Sequence, residues 1–176
     1  MAELIKLVWD VCCLRRGPQD LPHSPALLAL LCVLWLAVQA VGAMLLGLDR
    51  DAVAGSLLPL VLNLGVLFLL LLVRNVPNRF VQTATALIGC GLLFLLLSVP
   101  IALLAGGQPL TPGQMTPLQI LLGLVSLPLL IWKLMIDANI FRHSMNVPFL
   151  VAIAIAVMWF IVELALNGAA SAPATA

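Results

Sequence analysis

Residues 26–48 read ALLALLCVLWLAVQAVGAMLLGL, a run without a single charge. A helix that crosses a hydrocarbon core about 30 Å thick needs about 20 such residues. No soluble domain has room to bury an unbroken apolar helix of this kind, so this stretch decides the fold. Four more runs follow, at 55–73, 81–105, 118–136 and 148–166. Within them VLFLLLLV and LLFLLLSV are apolar on every side. They lack the alternation of a membrane β-strand, so the spans are helices. The expected fold is all-α: a polytopic membrane protein with five transmembrane helices and an N-terminal interfacial amphipathic helix. Residues 1–25 hold that helix and a Pro-rich turn, 26–168 the five-helix domain, and 169–176 a tail expected to be disordered.

Composition agrees. Apolar residues make up 64% of the chain and charged ones 9%, against about half and about a quarter in soluble domains. The net charge of +1 is too small to imply a nucleic-acid partner. The expected partners are the lipid bilayer and either another membrane protein or further copies of this chain. Cys12 and Cys13 are adjacent, and Cys32 and Cys90 lie inside spans. This spacing suits neither a metal site nor a disulfide framework.

The first segment, AELIKLVWDVCCLRR (2–16), places Leu4, Leu7, Val8, Val11 and Trp9 on one broad arc and Glu3, Lys6 and Asp10 on the remainder. It is too short to span. It reads as a helix in the interface, with Trp9 near headgroup depth, or as a helix packed on the ends of the spans. GPQDLPHSP (17–25) is a stiff turn, because its prolines forbid a continuous helix. Ser24 before Pro25, and Thr116 before Pro117, suit an N-cap followed by a first helical position. RNVPNRF (74–80) and DANIFRHSMNVP (137–148) read as connections, and the neutral loop near 106–117 is the longest polar interruption.

Basic residues are distributed one-sidedly. With a cytoplasmic N-terminus, Lys6, Arg15, Arg16, Arg74, Arg79, Lys133 and Arg142 all fall inside, and only Arg50 falls outside. The positive-inside rule then predicts the N-terminus inside, on the cytoplasmic face, and the C-terminus outside.

Chemistry is sparse. There is no zinc-protease motif, nucleophile elbow, phosphate loop or pair of carboxylates. Ser98, Ser126 and Ser144 have no base at recognisable spacing. No catalytic residue, cofactor or metal is expected. His23 and His143, the two histidines, lie in turns, unlike a helix-borne haem pair.

Glu163 is the one acidic residue well embedded in an apolar run. A charge in a span usually faces a protein interior or a cavity. Gln39 lies at a similar depth and Asn63 closer to the middle, so Glu163, Gln39 and Asn63 form the candidate binding cluster. The alternative is that Glu163 reaches the outer headgroups or makes one structural bond. Asn63 needs a partner, because an unmet amide in hydrocarbon is costly. Lys133 and Asp137 are four apart on one helix face and can pair, with Lys133 extending to the inner surface. Arg15, Arg16, Arg74, Arg79, Arg142 and His143 are candidate inner-face contacts to lipid phosphate or a partner. Thr83, Ala86 and Gly89 are small residues suited to close helix packing.

Two stretches, LRRGPQDLPHSPALL (14–28) and RFVQTATALIGCG (79–91), look like those of small inner-membrane proteins of Gram-negative bacteria. With the span count and the cytoplasmic N-terminal segment, the chain resembles the bacterial branch of the Yip1-like membrane proteins. That resemblance implies a five-helix bundle over nearly the whole chain. The trafficking role of the eukaryotic relatives is not carried over, since nothing in these residues marks a cargo pathway. The leading expectation is a non-enzymatic accessory or scaffold subunit of a membrane complex. The alternative is a small transporter or channel component with Glu163 in the path. A lipid-related enzyme would place its polar groups at Arg74, Arg79, Arg142 and His143.

Overall fold

The structure is a computed structural model and describes residues 2–46, 50–106 and 116–171. Six helices account for most of it: α1 (Ala2–Cys12), α2 (Pro25–Leu45), α3 (Arg50–Val73), α4 (Phe80–Leu104), α5 (Pro117–Met145) and α6 (Phe149–Ser171). Short 3-10 turns at Pro18–Asp20 and Pro77–Arg79 lie between them. Four segments are long and apolar enough to cross a membrane: Pro25–Leu45, Pro77–Leu104, Pro117–Met145 and Phe149–Leu166. In α3 the apolar part found is shorter, Leu57–Val73.

Helix ends follow local chemistry. The Ser24 hydroxyl accepts from the Leu27 amide (3.3 Å) ahead of Pro25. At α5, Thr116 Oγ1 accepts from the Gln119 amide while Gln119 Oε1 accepts from the Thr116 amide, a reciprocal capping box. Helices α1, α3 and α5 stop in one way, through a left-handed residue at Leu14, Asn75 and Asn146. In each, an amide reaches back across the turn: Arg15 to Asp10, Val76 to Leu71 and Val147 to Arg142. These are Schellman closures, which satisfy carbonyls the helix cannot. Prolines 77 and 148 come next and keep α3 and α5 from resuming.

Neighbouring helices close a ring: α2 packs on α3, α3 on α6, α6 on α5, α5 on α4 and α4 on α2. One core joins Leu67 and Leu71 of α3, Ala84 of α4, Phe141 of α5 and Ala156 and Trp159 of α6. A second joins Val11 and Cys12 of α1 to Cys90 of α4 and Ile136 and Ile140 of α5. Helix α4 serves both cores because its first half is small. Thr83, Ala84, Thr85, Ala86 and Cys90 are all buried, and a Cβ at Gly89 would meet Val8 of α1 and Leu31 of α2 at 3.4–3.7 Å.

Helix α1 therefore lies against α4 and α5, with Trp9 half-exposed. Three side-chain donors fix the chain that follows it: Trp132 Nε1 to the Cys12 carbonyl (3.1 Å), Asn139 Nδ2 to Arg16 O (3.4 Å) and Gln82 Nε2 to Leu21 O (2.9 Å). The stiff turn that starts at Gly17 buries Gly17, Pro18 and Leu21.

Two boundaries differ from the sequence reading. Residues 137–145 continue α5 instead of forming a connection. Asp137, Asn139 and Ser144 are buried there, and two of them have partners on other elements, Asn139 at Arg16 and Ser144 at Thr83. The helix α6 takes in Ala169, Ala170 and Ser171 of the small-residue tail. The tip 47–49, most of the neutral loop (107–115) and the end of the tail (172–176) lie outside the described residues, as do the side chains of Arg50 and Asp51.

Candidate functional site

The ring of helices brings a charged cluster into its interior. Lys133 Nζ donates to Asp137 Oδ2 at 2.8 Å and to Glu163 Oε2 at 2.9 Å. Trp159 Nε1 donates to the other Glu163 oxygen at 3.0 Å. Both Lys133–Asp137 and Trp159–Glu163 are i,i+4 pairs, one turn apart on their helices. The Asp137 side chain is 4% exposed, Lys133 19% and Glu163 26%. The cluster holds two carboxylates and one ammonium, and it ties α5 to α6.

Beside it is a cavity of about 350 Å³. Every helix of the ring contributes to its wall: Trp35 from α2, Asn63 from α3, Gly91 and Ser98 from α4, Ser126 and Lys133 from α5, and Glu163 from α6. A smaller lobe of about 70 Å³ shares Trp35, Asn63, Gly91 and Glu163. The rest of the wall is apolar, including Phe94, Leu95 and Leu129. A mostly apolar wall with a few convergent polar groups, at a volume above about 300 Å³, is the usual form of a small-molecule site.

Its depth follows from helix arithmetic. Trp35 lies ten residues past Pro25, Asn63 ten before Val73, Lys133 twelve before Met145 and Glu163 fourteen past Phe149. Those four ends meet on one side of the bundle. At about 1.5 Å per residue the polar groups sit about 15–21 Å in. That is near the middle of a core about 30 Å thick.

Asn63 Oδ1 is buried and accepts no hydrogen bond. The interhelical bond expected of it from the sequence is not made at that atom. The orphaned oxygen belongs to a side chain on the wall of the cavity. An unmet acceptor of this kind costs about 1–3 kcal/mol.

Of the cluster read from the sequence, Glu163 and Asn63 share both lobes, and Gln39 lines neither. Helix α2 presents Trp35 instead, one turn closer to the shared end. Lys133 pairs with Asp137 as its spacing predicts, but it does not extend to the inner surface: its ammonium turns inward to Glu163. Trp159 was not singled out from the sequence, and its i,i+4 spacing to Glu163 was the available signal. Thr83 and Ala86 are fully buried, and Thr83 Oγ1 donates to Ser144 Oγ at 2.9 Å.

The inner-face candidates separate. Arg79, Arg142 and His143 come together at the end of the bundle where α4 starts and α5 stops. Arg79 Nη1 donates to the carbonyls of both His143 and Ser144 at 3.0 Å, which offsets the negative end of α5. Arg16 faces Asp10 at 3.6 Å. Arg15 and Arg74 are exposed. Among the described residues no three His, Cys, Asp or Glu side chains are placed to hold a metal.

Cys12 and Cys90 share a thiol–thiol contact at 3.0 Å between α1 and α4. A hydrogen bond from Cys90 favours the Cys12 thiolate and holds that thiol below its usual pKa, against burial and the Asp137 charge, which act the other way.

The chain matches no family model, no curated protein and no solved structure.

Proposed function

We propose that this chain is a five-span inner-membrane protein whose central cavity binds a small hydrogen-bond-donating solute, as a small transporter or channel component with Glu163 on the path. The observation that carries this reading is the buried, unmatched Asn63 oxygen on a cavity wall that also holds Glu163 and Lys133. A turn of the Asn63 carboxamide would bring that oxygen to a donor solute in the cavity, and the adjacent carboxylate would favour a protonated or cationic one. The fifth span is α3, whose residues 52–73 carry no charge and cover the needed length at about 1.5 Å each. The seven-to-one basic asymmetry supports a cytoplasmic N-terminus and a periplasmic C-terminus. The likeness to the bacterial Yip1-like proteins rests on topology and contributes nothing to the choice of solute.

The test is flux through the full chain reconstituted in liposomes, with two probes: protons under an imposed pH gradient, and radiolabelled methylammonium. The expected result is flux above that of empty liposomes for one of them, lost in Glu163→Gln with helix content unchanged. Equal leak with and without the protein, for both probes, refutes the transporter reading.

The second reading is an accessory subunit of a larger membrane complex. It is favoured by the closed pairing of Lys133, whose ammonium meets both carboxylates and fastens α5 to α6 without a ligand. Gentle extraction from the native membrane followed by native mass measurement distinguishes it. A partner at fixed ratio supports the subunit, and the chain alone counts against it.

A further inference from the structure

A second and larger cavity, about 670 Å³, lies away from the central one, at the end of the bundle. Its wall is formed by Gln19, Arg79, Arg142, His143 and Asn146, with Val147–Phe149 on the α6 side. We propose that this groove holds the phosphate group of an anionic phospholipid headgroup.

Charge is the first observation. Two guanidiniums, an imidazole and two carboxamides line the groove, and no carboxylate does. Free donors are the second. Arg79 commits Nη1 to the end of α5, which leaves its other nitrogens. His143 places Nδ1 2.8 Å from the Asn139 carbonyl. That contact sets Nδ1 as a protonated nitrogen, and Nε2 donates to a phosphate oxygen when the ring is an imidazolium. The Arg142 guanidinium lies 5.9 Å from the Phe149 ring centre, a stacking that orients it and leaves its in-plane donors free. Asn146, held in a left-handed turn, adds an amide on the same wall. Planar guanidiniums and amide donors without a competing acid are the chemistry that recognises phosphate oxygens.

Depth selects a lipid as the source. The groove is level with the ends of three candidate spans, at Pro77, Met145 and Phe149. Beyond Pro148 and Phe149 the α6 surface continues as exposed Leu150 (81%) and Val151 (46%). A headgroup in the groove would lay its acyl chains along that face. A volume of this size admits a whole headgroup. The first helical residue of α6 lines the groove, so the positive end of that helix adds to the attraction.

The test uses the full chain in detergent, delipidated and then offered phosphatidylglycerol or phosphatidylcholine, with bound lipid counted by native mass spectrometry. Inorganic phosphate is titrated separately. The variant is Arg142→Gln with His143→Gln, which leaves the Arg79 cap of α5 in place. Each basic group near an anionic lipid is worth about fivefold in binding. Phosphatidylglycerol is therefore expected to be retained at least about fivefold over phosphatidylcholine. The double variant should bring the two lipids to parity, with thermal midpoint and helix content held. Equal retention of both lipids by the unaltered chain, or an unchanged preference in the variant, overturns the site. If inorganic phosphate binds the unaltered chain, the variant loses that binding and neither lipid is retained, the phosphate chemistry stands and its source is solution, so the lipid assignment fails. If the double variant unfolds, Arg142→Gln in the otherwise unaltered chain takes its place, and an undiminished preference there overturns the proposal.

Discussion

Replacing Lys133 by Met tests the intramembrane cluster most directly. The side chain is nearly the same length, so packing changes little and the ammonium is what is lost. In the folded chain that ammonium meets Asp137 at 2.8 Å and Glu163 at 2.9 Å. Glu163 keeps the Trp159 N–H after the change, whereas Asp137, 4% exposed, is left with a buried charge facing a second carboxylate. Removing one partner of a buried ion pair costs about 3–5 kcal/mol, because the stranded charge remains. Lys133→Met combined with Asp137→Asn and Glu163→Gln removes the charges together, and replacing a buried group of charges as a set is often close to neutral. The triple variant should therefore be more stable than the single one. Reversible unfolding in mixed micelles gives the comparison, followed by helix circular dichroism and by the fluorescence of Trp132 and Trp159. A single variant within about 0.5 kcal/mol of the parent, the range of ordinary surface changes, refutes the account. So does a triple variant less stable than the single one.

The other expectations concern separate parts of the molecule. Asn63→Leu removes the unmet buried oxygen and should stabilise the chain by about 1–3 kcal/mol in the same unfolding assay, while any flux through the cavity falls. Asn146 sits at φ 51. Asn146→Gly should be tolerated, and Asn146→Val should cost about 1–2 kcal/mol, read as a lower thermal midpoint. Gly89→Ala fits the 3.4–3.7 Å clearances to Val8 and Leu31. Gly89→Leu should lift α1 from α4, seen as faster proteolysis within residues 13–24. In a Cys13→Ser, Cys32→Ser background, mild oxidation by a membrane-permeant diazene should link Cys12 to Cys90 within one chain, giving a product that runs faster on non-reducing gels. Failure to link would argue against docking of α1 on α4.

The parts of the fold legible in the sequence are those set by neighbours along the chain. Charge-free runs mark the helices. Ser24 before Pro25 and Thr116 before Pro117 announce where α2 and α5 begin. Lys133 and Asp137 meet because four residues make one turn. Contacts between helices are not legible in this way. Runs apolar on every side carry no stripe to say which neighbour they face, so the 30-residue step from Lys133 to Glu163 left no pattern to read. The end of α5 misleads for a related reason. Asp137, Asn139 and Ser144 lower the local hydropathy and resemble a connection, yet Lys133, Arg16 and Thr83 supply their partners. At the site, Asn63 and Glu163 were identifiable as polar groups in apolar surroundings. The replacement of Gln39 by Trp35 depended on the rotation of α2 about its axis, which a uniformly apolar helix does not encode.

The link between α5 and α6 also bears on how the protein is made. Lys133 and Asp137 leave the ribosome close together and can neutralise each other as soon as one helical turn forms. Glu163 emerges 30 residues later, and alone in hydrocarbon its carboxylate would be costly, as acidic groups in spans are. Only three residues, Asn146, Val147 and Pro148, separate the two helices. Entry of α6 into the bilayer should therefore be cheapest while α5 is still at the lateral gate of the insertion machinery, and the expected route is for the two helices to go in as one hairpin. A truncated nascent chain ending after α5 would wait at that gate, and one carrying α6 would be released.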